Sequence, residues 1–486
     1  MASRKSKVFS LSLAQGALVL ATVGSGMVFS RELSIKDYGT YLQTFLAYEF
    51  AVPILTLGLP TALYYFLPQE REQQKGLVID NLFLLFLAGL IFSLFLFFGG
   101  GELLATRFNN PDLSKTLEWM VFYPIYTFPV LAASAVWISK EKVKLNAIFN
   151  ATKGIILTVT LIFVALYTEG FKAPTLTRIF LPLAFLPIAI FLIFKYTPGD
   201  WRMPKVESAL RILKFSIPLG LASIFGTLAI QLASVIVSFL TSPEEFAIYA
   251  NGAKEVPFIG IITGSISVVI MADMARSIKE GNIQEALHLF RKAAAISASF
   301  LFPIMTFLFT YATSFIEILY SDKYNESVLP FRIYLLIIPI RVAYYGSAFI
   351  ALGRTKAILI RSIIDLILTG LLCYVFVSLL GAYGAAIGLI LTLFLWSVPF
   401  NLNSLSKSFK CKPTQILPFK KLGEIFLYSV IAIVIPASFL YFDLSSYMRF
   451  SLGISIYGTI YFLIAYNRIK EFQEFFKPFV DKFLKS

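Results

Sequence analysis

The sequence predicts an all-α integral membrane protein of about fourteen transmembrane helices, built as two similar halves. Three observations carry that expectation. Hydrophobic residues make up 58% of the 486 and charged residues 14%, with a mean hydropathy of +0.78; a soluble domain carries about 25% charged residues. Apolar runs of about 20 residues recur along the chain, enough for a hydrocarbon core roughly 30 Å thick. Runs such as Leu82 to Phe98 lack the alternation of a membrane barrel. Lastly, Ser30 to Tyr41 (SRELSIKDYGTY) is echoed at Ser238 to Tyr249 (SFLTSPEEFAIY). A shift of 208 positions superposes Ser30 on Ser238, Ser34 on Ser242, Asp37 on Glu245, Tyr38 on Phe246, Gly39 on Ala247 and Tyr41 on Tyr249.

In chain order the expected spans are 8–30, 40–66, 77–98, 116–138, 146–168, 176–196 and 214–240, then 248–272, 292–316, 328–352, 358–380, 383–404, 422–442 and 447–467. The first apolar run is too long for a cleavable signal peptide and reads as a span that acts as its own insertion signal. Connections are short. The longest, Thr197 to Arg211, contains Pro198, Gly199 and Pro204 and is the natural linker between halves. Proline and glycine inside the spans, such as Pro53, Gly58 and Pro60, Pro124 and Pro129, Pro218, Pro257 and Pro339, mark breakable helices.

Charge sets the orientation. Of the 42 Lys and Arg, 30 fall on one side of these spans and 8 on the other, the minority including Arg31, Lys36, Lys172, Arg178 and Arg449. The positive-inside rule puts the basic side and both termini in the cytoplasm. The net charge of +14 therefore needs no nucleic acid; anionic membrane lipids are the expected partner of that rim.

Charged side chains within spans are costly and tend to face protein or water. Those singled out are Glu49 in the second span, Lys153 in the fifth, Lys254 and Glu255 in the eighth, Arg332 and Arg341 in the tenth and Asp365 in the eleventh. Arg341 lies about 20 Å into its span at 1.5 Å per residue, near the middle. Arg332 points away from it unless the helix bends at Pro339. Under the 208 shift Glu49 falls within a turn of the position matching Lys254 and Glu255, and near a shift of 212 Lys153 falls on or beside Asp365. The plain structural alternative is buried ion pairs such as Lys254 with Glu49 or Lys153 with Asp365. The excess of cations in this set favours an anionic substrate, and arginine suits a phosphate.

No phosphate-binding Gly-x-x-x-x-Gly-Lys-Ser/Thr loop, nucleophile elbow or soluble catalytic domain occurs, so no ATPase and no catalytic residues are expected. Cys373 and Cys411 give no disulfide framework, and the single histidine, His288, builds no metal site. No cofactor is expected.

The chain resembles the polysaccharide-transporter branch of the multidrug/oligosaccharidyl-lipid/polysaccharide exporter superfamily, which includes the Wzx-type O-antigen flippases. RELSIKDYGTY followed by LTLGLPTALYYFLP (Leu55 to Pro68), FSIPLGLAS (Phe215 to Ser223), EEFAIYANGAKEVPF (Glu244 to Phe258), GRTKAILIRS (Gly353 to Ser362) and GAYGAAIG (Gly381 to Gly388) carry the resemblance. Ala247 departs from the family's usual glycine. The resemblance implies two six-helix lobes related by a pseudo-two-fold, with a cavity between them, and two further helices that guide a lipid tail. The lobes would be 1–196 and 214–406, with a cytoplasmic linker at 197–213 and the added helices and tail at 407–486. It further implies a non-enzymatic flippase of the bacterial cytoplasmic (inner) membrane. Its substrate would be an undecaprenyl-diphosphate-linked oligosaccharide, a repeat unit of O-antigen, lipopolysaccharide or another polysaccharide, and its partner the polymerase machinery. Arg341, Arg332, Lys153 and Lys254 would meet the anionic headgroup, and Glu49, Glu255 and Asp365 would balance charge or carry the coupling ion. The rivals are a lipid II flippase, a multidrug antiporter and a non-transporting scaffold of polysaccharide assembly.

Overall fold

The computed structural model describes residues 22–70 and 72–483. Most of the first expected span lies outside the described residues, as do the cations Arg4, Lys5, Lys7 and Arg71. Every regular element among the described residues is helical: α1 (22–32), α2 (Ile35–Thr56), α3 (Leu59–Gln69), α4 (Gln74–Arg107), α5 (Asp112–Trp119), α6 (Tyr123–Ser139), α7 (Val143–Tyr167) and α8 (Lys172–Lys195). These are followed by α9 (Val206–Leu240), α10 (Pro243–Gly252), α11 (Pro257–Lys279), α12 (Ile283–Thr310), α13 (Ala312–Tyr320) and α14 (Asp322–Ala351). The last five are α15 (Thr355–Leu380), α16 (Gly384–Phe409), α17 (Phe419–Tyr441), α18 (Ser446–Arg468) and α19 (Lys470–Phe483). Among the described residues nine helices are long and apolar enough to cross a membrane, and up to eleven spans result if α2 with α3 and α5 with α6 each count as one. Fourteen therefore stands as an approximate count for this multi-pass membrane protein.

Several spans are broken where the sequence placed proline and glycine. The α2–α3 span bends by 40° at Leu57 and Gly58, whose φ values are 45° and 74°. Glycine suits such a left-handed position because it has no Cβ to clash. Beside the break, the buried Asn81 amide of α4 donates to the Leu59 carbonyl at 2.8 Å and so ties the start of α3 to α4. The α5–α6 span bends by 56°. The expected eighth span, 248–272, is not one helix: residues 253–256, which include Lys254 and Glu255, are non-helical between α10 and α11. The carbonyls preceding Pro257 cannot be capped by its missing N–H, and the residue before a proline is driven to extended backbone; Val256 has φ −61° and ψ 123°.

The echoed turn is a helix start made twice. Ser34 Oγ accepts from the Asp37 N–H at 3.0 Å, and Ser242 Oγ accepts from the Glu245 N–H at 3.2 Å. The first helical bond is also repeated, Tyr38 N–H to Ser34 O and Phe246 N–H to Ser242 O, both at 2.9 Å. Such a serine satisfies a helix donor that otherwise lacks a partner. Tyr38, Tyr41, Phe246 and Tyr249 are all buried. What the 208-residue shift detects is therefore an N-cap followed by two buried aromatic positions.

The chain packs as two compact units, residues 1–250 with 362–385 and residues 251–361 with 386–486. In the first, α3, α4, α6 and α8 enclose Leu63, Leu85, Phe128 and Trp137, all with essentially no exposure. Asp80 of α4, fully buried, is held by Arg202 through two bonds of 2.8 and 2.5 Å and by the Lys205 N–H at 2.9 Å. Together with a bond from the Lys75 N–H to Pro198 O, these pin the expected linker onto the start of α4. In the second unit α12 is the most enclosed span. It packs on α11 and α17, and α17 on α18. The α18 hydroxyl of Tyr461 donates to Ser299 O of α12 at 2.8 Å, and Tyr311, at the junction of α12 and α13, donates to Pro436 O of α17 at 2.5 Å.

Candidate functional site

Two arginine–carboxylate pairs stand out, one in each unit. In the first unit Glu49 projects from the middle of α2. Its Oε1 lies 3.1 Å from Nη2 of Arg178, on α8. The sequence reading had put Arg178 on the outer rim, because a residue two positions inside an expected span looks free to reach water. In the fold α8 begins earlier, at Lys172, so Arg178 sits one and a half turns inside a helix. Its guanidinium lies 3.7 Å from the centre of the Phe45 ring and 5.4 Å from that of Tyr41, and Nη1 donates to the Tyr41 hydroxyl at 3.2 Å. Phe45 in turn packs on Tyr123, and Tyr123 on Tyr48, with centroids 6.2 and 4.7 Å apart.

The aromatic positions follow from helix geometry. Tyr41, Phe45 and Tyr48 are spaced four and three residues apart, so they share one face of α2, while Glu49 lies one step to the side. The rings exclude water from one face of the guanidinium and attract its charge. The open side remains accessible: the Arg178 and Glu49 side chains are 26% and 48% exposed. The site is thus an arginine fixed from behind, with an exchangeable acid in front.

In the second unit Arg341 Nη2 lies 3.1 Å from Glu255 Oε2, and both side chains are about two-fifths exposed. Arg341 closes a short helical stretch, Ile338–Arg341, within the broken α14. Glu255 sits on the non-helical link before α11. The helix is broken just before Pro339, at Leu336 and Ile337, yet Arg332 does not join Arg341: its Nε donates to Phe309 O of α12 at 3.1 Å, with its guanidinium 5.7 Å from the Phe309 ring.

The remaining predicted residues fall out as follows. Lys254 is exposed on the same non-helical link as Glu255. Lys153 is half-buried in α7 and makes no ion pair among the described residues, so the Lys153–Asp365 pair drawn from the repeat does not form. Asp365 is half-buried in α15. Glu49 pairs with Arg178. Of the seven predicted residues, the structure brings Glu255 and Arg341 together in a pair. Sequence reasoning missed Arg178, and it missed Asp80, which sits one turn into the third expected span. No group of three or more metal-ligating side chains occurs among the described residues.

A profile described as "polysaccharide biosynthesis protein" matches residues 28–329, well over half of the chain. No curated protein matches the sequence. Among solved structures, the chain is similar to a lipid II flippase MurJ in an inward closed conformation, with a TM-score of 0.75 and 17% identity over 97% of this chain and 99% of that one. It is also similar to a multidrug resistance MATE family transporter of the MOP superfamily in an inward-facing conformation, with a TM-score of 0.60 and 13% identity over 82% of this chain and 99% of that one. A third is a MOP superfamily transporter from Pyrococcus furiosus, at 0.58 and 13% over 84% and 96%. At these identities the likeness concerns the fold, which is that of the MOP transporters. By the extent of the profile match, the chain belongs to the polysaccharide biosynthesis protein family.

Proposed function

We propose that this protein is a flippase that carries an undecaprenyl-diphosphate-linked oligosaccharide from the inner to the outer leaflet of the bacterial cytoplasmic membrane. The observation that carries the reading is the pair of half-exposed arginine–carboxylate contacts, Arg178–Glu49 and Arg341–Glu255, in a chain of this family. A diphosphate offers a guanidinium the same bidentate geometry as a carboxylate with more negative charge. It therefore displaces the acid from the arginine, and the released carboxylate is free to take a proton. Binding and protonation become coupled at one contact, as a gradient-driven carrier requires. The polyprenyl tail stays in lipid, beside α17 and α18. Access alternates between the two faces, and the excess of cations on one side of the spans supports cytoplasmic termini. Lys153, Lys254 and Arg332 add positive potential for the headgroup, and Asp365 balances it.

The test is a deletion strain complemented with Arg341→Ala or Arg178→Ala. Loss of surface polysaccharide at normal membrane abundance, with lipid-linked oligosaccharide accumulating on the cytoplasmic face, is the expected result. Unchanged export sinks the role of these arginines, and export that needs the protein without any flipping favours the scaffold. A second reading, lipid II flipping, is favoured by the fold likeness to MurJ over 97% of the chain, which includes the C-terminal helices. Loss of peptidoglycan synthesis, rather than of surface polysaccharide, in the deletion strain would select it.

A further inference from the structure

A cavity of about 300 Å³ lies at the basic side of the second unit, away from both arginine–carboxylate contacts. It is formed where α12, α17 and α19 begin. His288, Arg291, Lys292, Lys421 and Lys470 line it, together with Glu471 and Glu474. Each acid is engaged by one lysine: Lys292 with Glu474 at 3.0 Å and Lys421 with Glu471 at 2.5 Å. Arg291 donates to the Gln415 carbonyl, which uses part of a five-donor group. With His288 neutral, four cations face two carboxylates, and Arg291 and Lys470 carry the excess positive charge.

Two features make this a formed cavity rather than a solvated charged face. The tail helix α19 is anchored beneath it by aromatic packing. Phe472 is almost fully buried and lies 5.6 Å from Phe300 of α12 and 5.7 Å from Phe462 of α18, with Phe476 5.4 Å from Phe462. The wall supplied by Lys470, Glu471 and Glu474 is therefore held by the core. Second, Oε2 of Glu471 is buried without a hydrogen-bond donor, although a buried carboxylate oxygen normally has one. The cavity thus offers cationic donors for an anion and, beside them, an acceptor waiting for an O–H.

We propose that this cavity binds a phosphate ester that carries a hydroxyl group. The phosphate meets Arg291 and Lys470, and the hydroxyl donates to Glu471. Two sources share that chemistry: the headgroup of an anionic glycerophospholipid and a soluble glycerol-type phosphate. The positive-inside rule places the cavity at the cytoplasmic surface, where either is within reach.

The experiment uses the full chain in detergent and follows binding by native mass spectrometry and calorimetry. The probes are dioctanoyl phosphatidylglycerol, sn-glycerol 3-phosphate and, as the zwitterionic comparison without a headgroup hydroxyl, dioctanoyl phosphatidylcholine. Wild type is expected to prefer one phosphate probe over phosphatidylcholine, and Arg291→Gln with Lys470→Gln to weaken that binding about ten-fold, the scale of one or two charged hydrogen bonds. Lys279→Gln, an exposed cation outside the cavity, should leave it unchanged. A loss confined to phosphatidylglycerol assigns a lipid headgroup, and a loss with glycerol phosphate assigns a soluble ligand. Should the double variant not fold, Lys470→Gln alone and Glu471→Gln are read instead, the latter weakening phosphatidylglycerol but not a dioctanoyl phosphatidic acid methyl ester, which has no hydroxyl. Equal binding of all probes to wild type, or binding retained in every cavity variant, overturns the proposal. Flippase activity is not the readout, so failure here leaves the flippase reading untouched.

Discussion

Arg178 holds Glu49 at 3.1 Å while lying 3.7 Å over the ring of Phe45, so one face of its guanidinium belongs to an aromatic wall and one edge to an acid. Substituting Arg178 by lysine keeps the charge but loses the planar stack and the fork geometry. Arg178→Lys should lower flipping about ten-fold, since a desolvated cation–π contact and a forked bond are each worth on the order of 1–2 kcal/mol. Reconstituted vesicles loaded with the lipid-linked substrate give the measurement; wild-type turnover would remove Arg178 from the substrate path.

Glu49→Gln tests the acid of the same pair. The amide cannot be charged, so the proton-linked step of the proposed mechanism would be lost while Arg178 remains. Flipping by this variant should become insensitive to an imposed pH gradient, whereas wild type responds. A variant that still responds to the gradient places proton uptake elsewhere.

Arg341 and Glu255 are both about two-fifths exposed, and such pairs contribute only about 0–1 kcal/mol to stability. Arg341→Ala should therefore leave the melting temperature in detergent almost unchanged while abolishing surface polysaccharide. A large loss of stability would make the contact structural instead.

Asp80 predicts the opposite behaviour. It is fully buried and its partner Arg202 grips both oxygens. The bond to Asp80 raises the affinity of the Arg202 guanidinium for its proton above the ordinary arginine value. Asp80→Asn removes the charge that grips Arg202, and because the guanidinium keeps about one-fifth of its surface exposed the loss falls at or below the low end of the about 3–5 kcal/mol of a fully buried pair. Thermal unfolding should start earlier and the 197–205 segment should become a protease site.

The tail helix supplies a pH prediction. The Lys292 ammonium, hydrogen-bonded to Glu474, holds its carboxyl below the usual carboxylate range, with Lys470 and Lys421 adding to the effect. A depressed carboxylate stabilises the fold above its unfolded pKa, roughly 4.3, and that contribution disappears as pH falls through the folded value. Protection of α19 amides relative to their intrinsic exchange rates should fall on acidification below about pH 4 and should hold steady between pH 6 and 8. In Glu474→Gln the acid-side fall in protection should be smaller.

How much of this was legible in the sequence differs by level. The helical membrane class follows from runs of apolar residues, which are local, so it could be read directly. Breaks at Gly58 and Pro339 were legible for the same reason. Partners were not. Arg341 and Glu255 are 86 positions apart on elements of no common period, and no rule of spacing joins them. Arg178 was read as a rim residue because charge counting treats a span end as water, whereas the end of α8 is folded against Tyr41 and Phe45. Asp80 was passed over for its nearness to a span start; its burial comes from the 197–205 segment lying over it.

The repeated helix start carries one further consequence. A Cβ on Gly39 would run into the backbone of Pro243, so the two copies of the motif touch within the first unit. A duplicated segment begins as two identical surfaces, and identical surfaces rarely fit each other off a symmetry axis. The copies differ at this contact: Gly39 has no side chain and admits the Pro243 backbone, whereas its counterpart Ala247 carries a buried methyl group. The copies are therefore not interchangeable. A chain with the two twelve-residue segments exchanged would put a methyl group where the Pro243 position presses in, and it should fold poorly although its composition is unaltered.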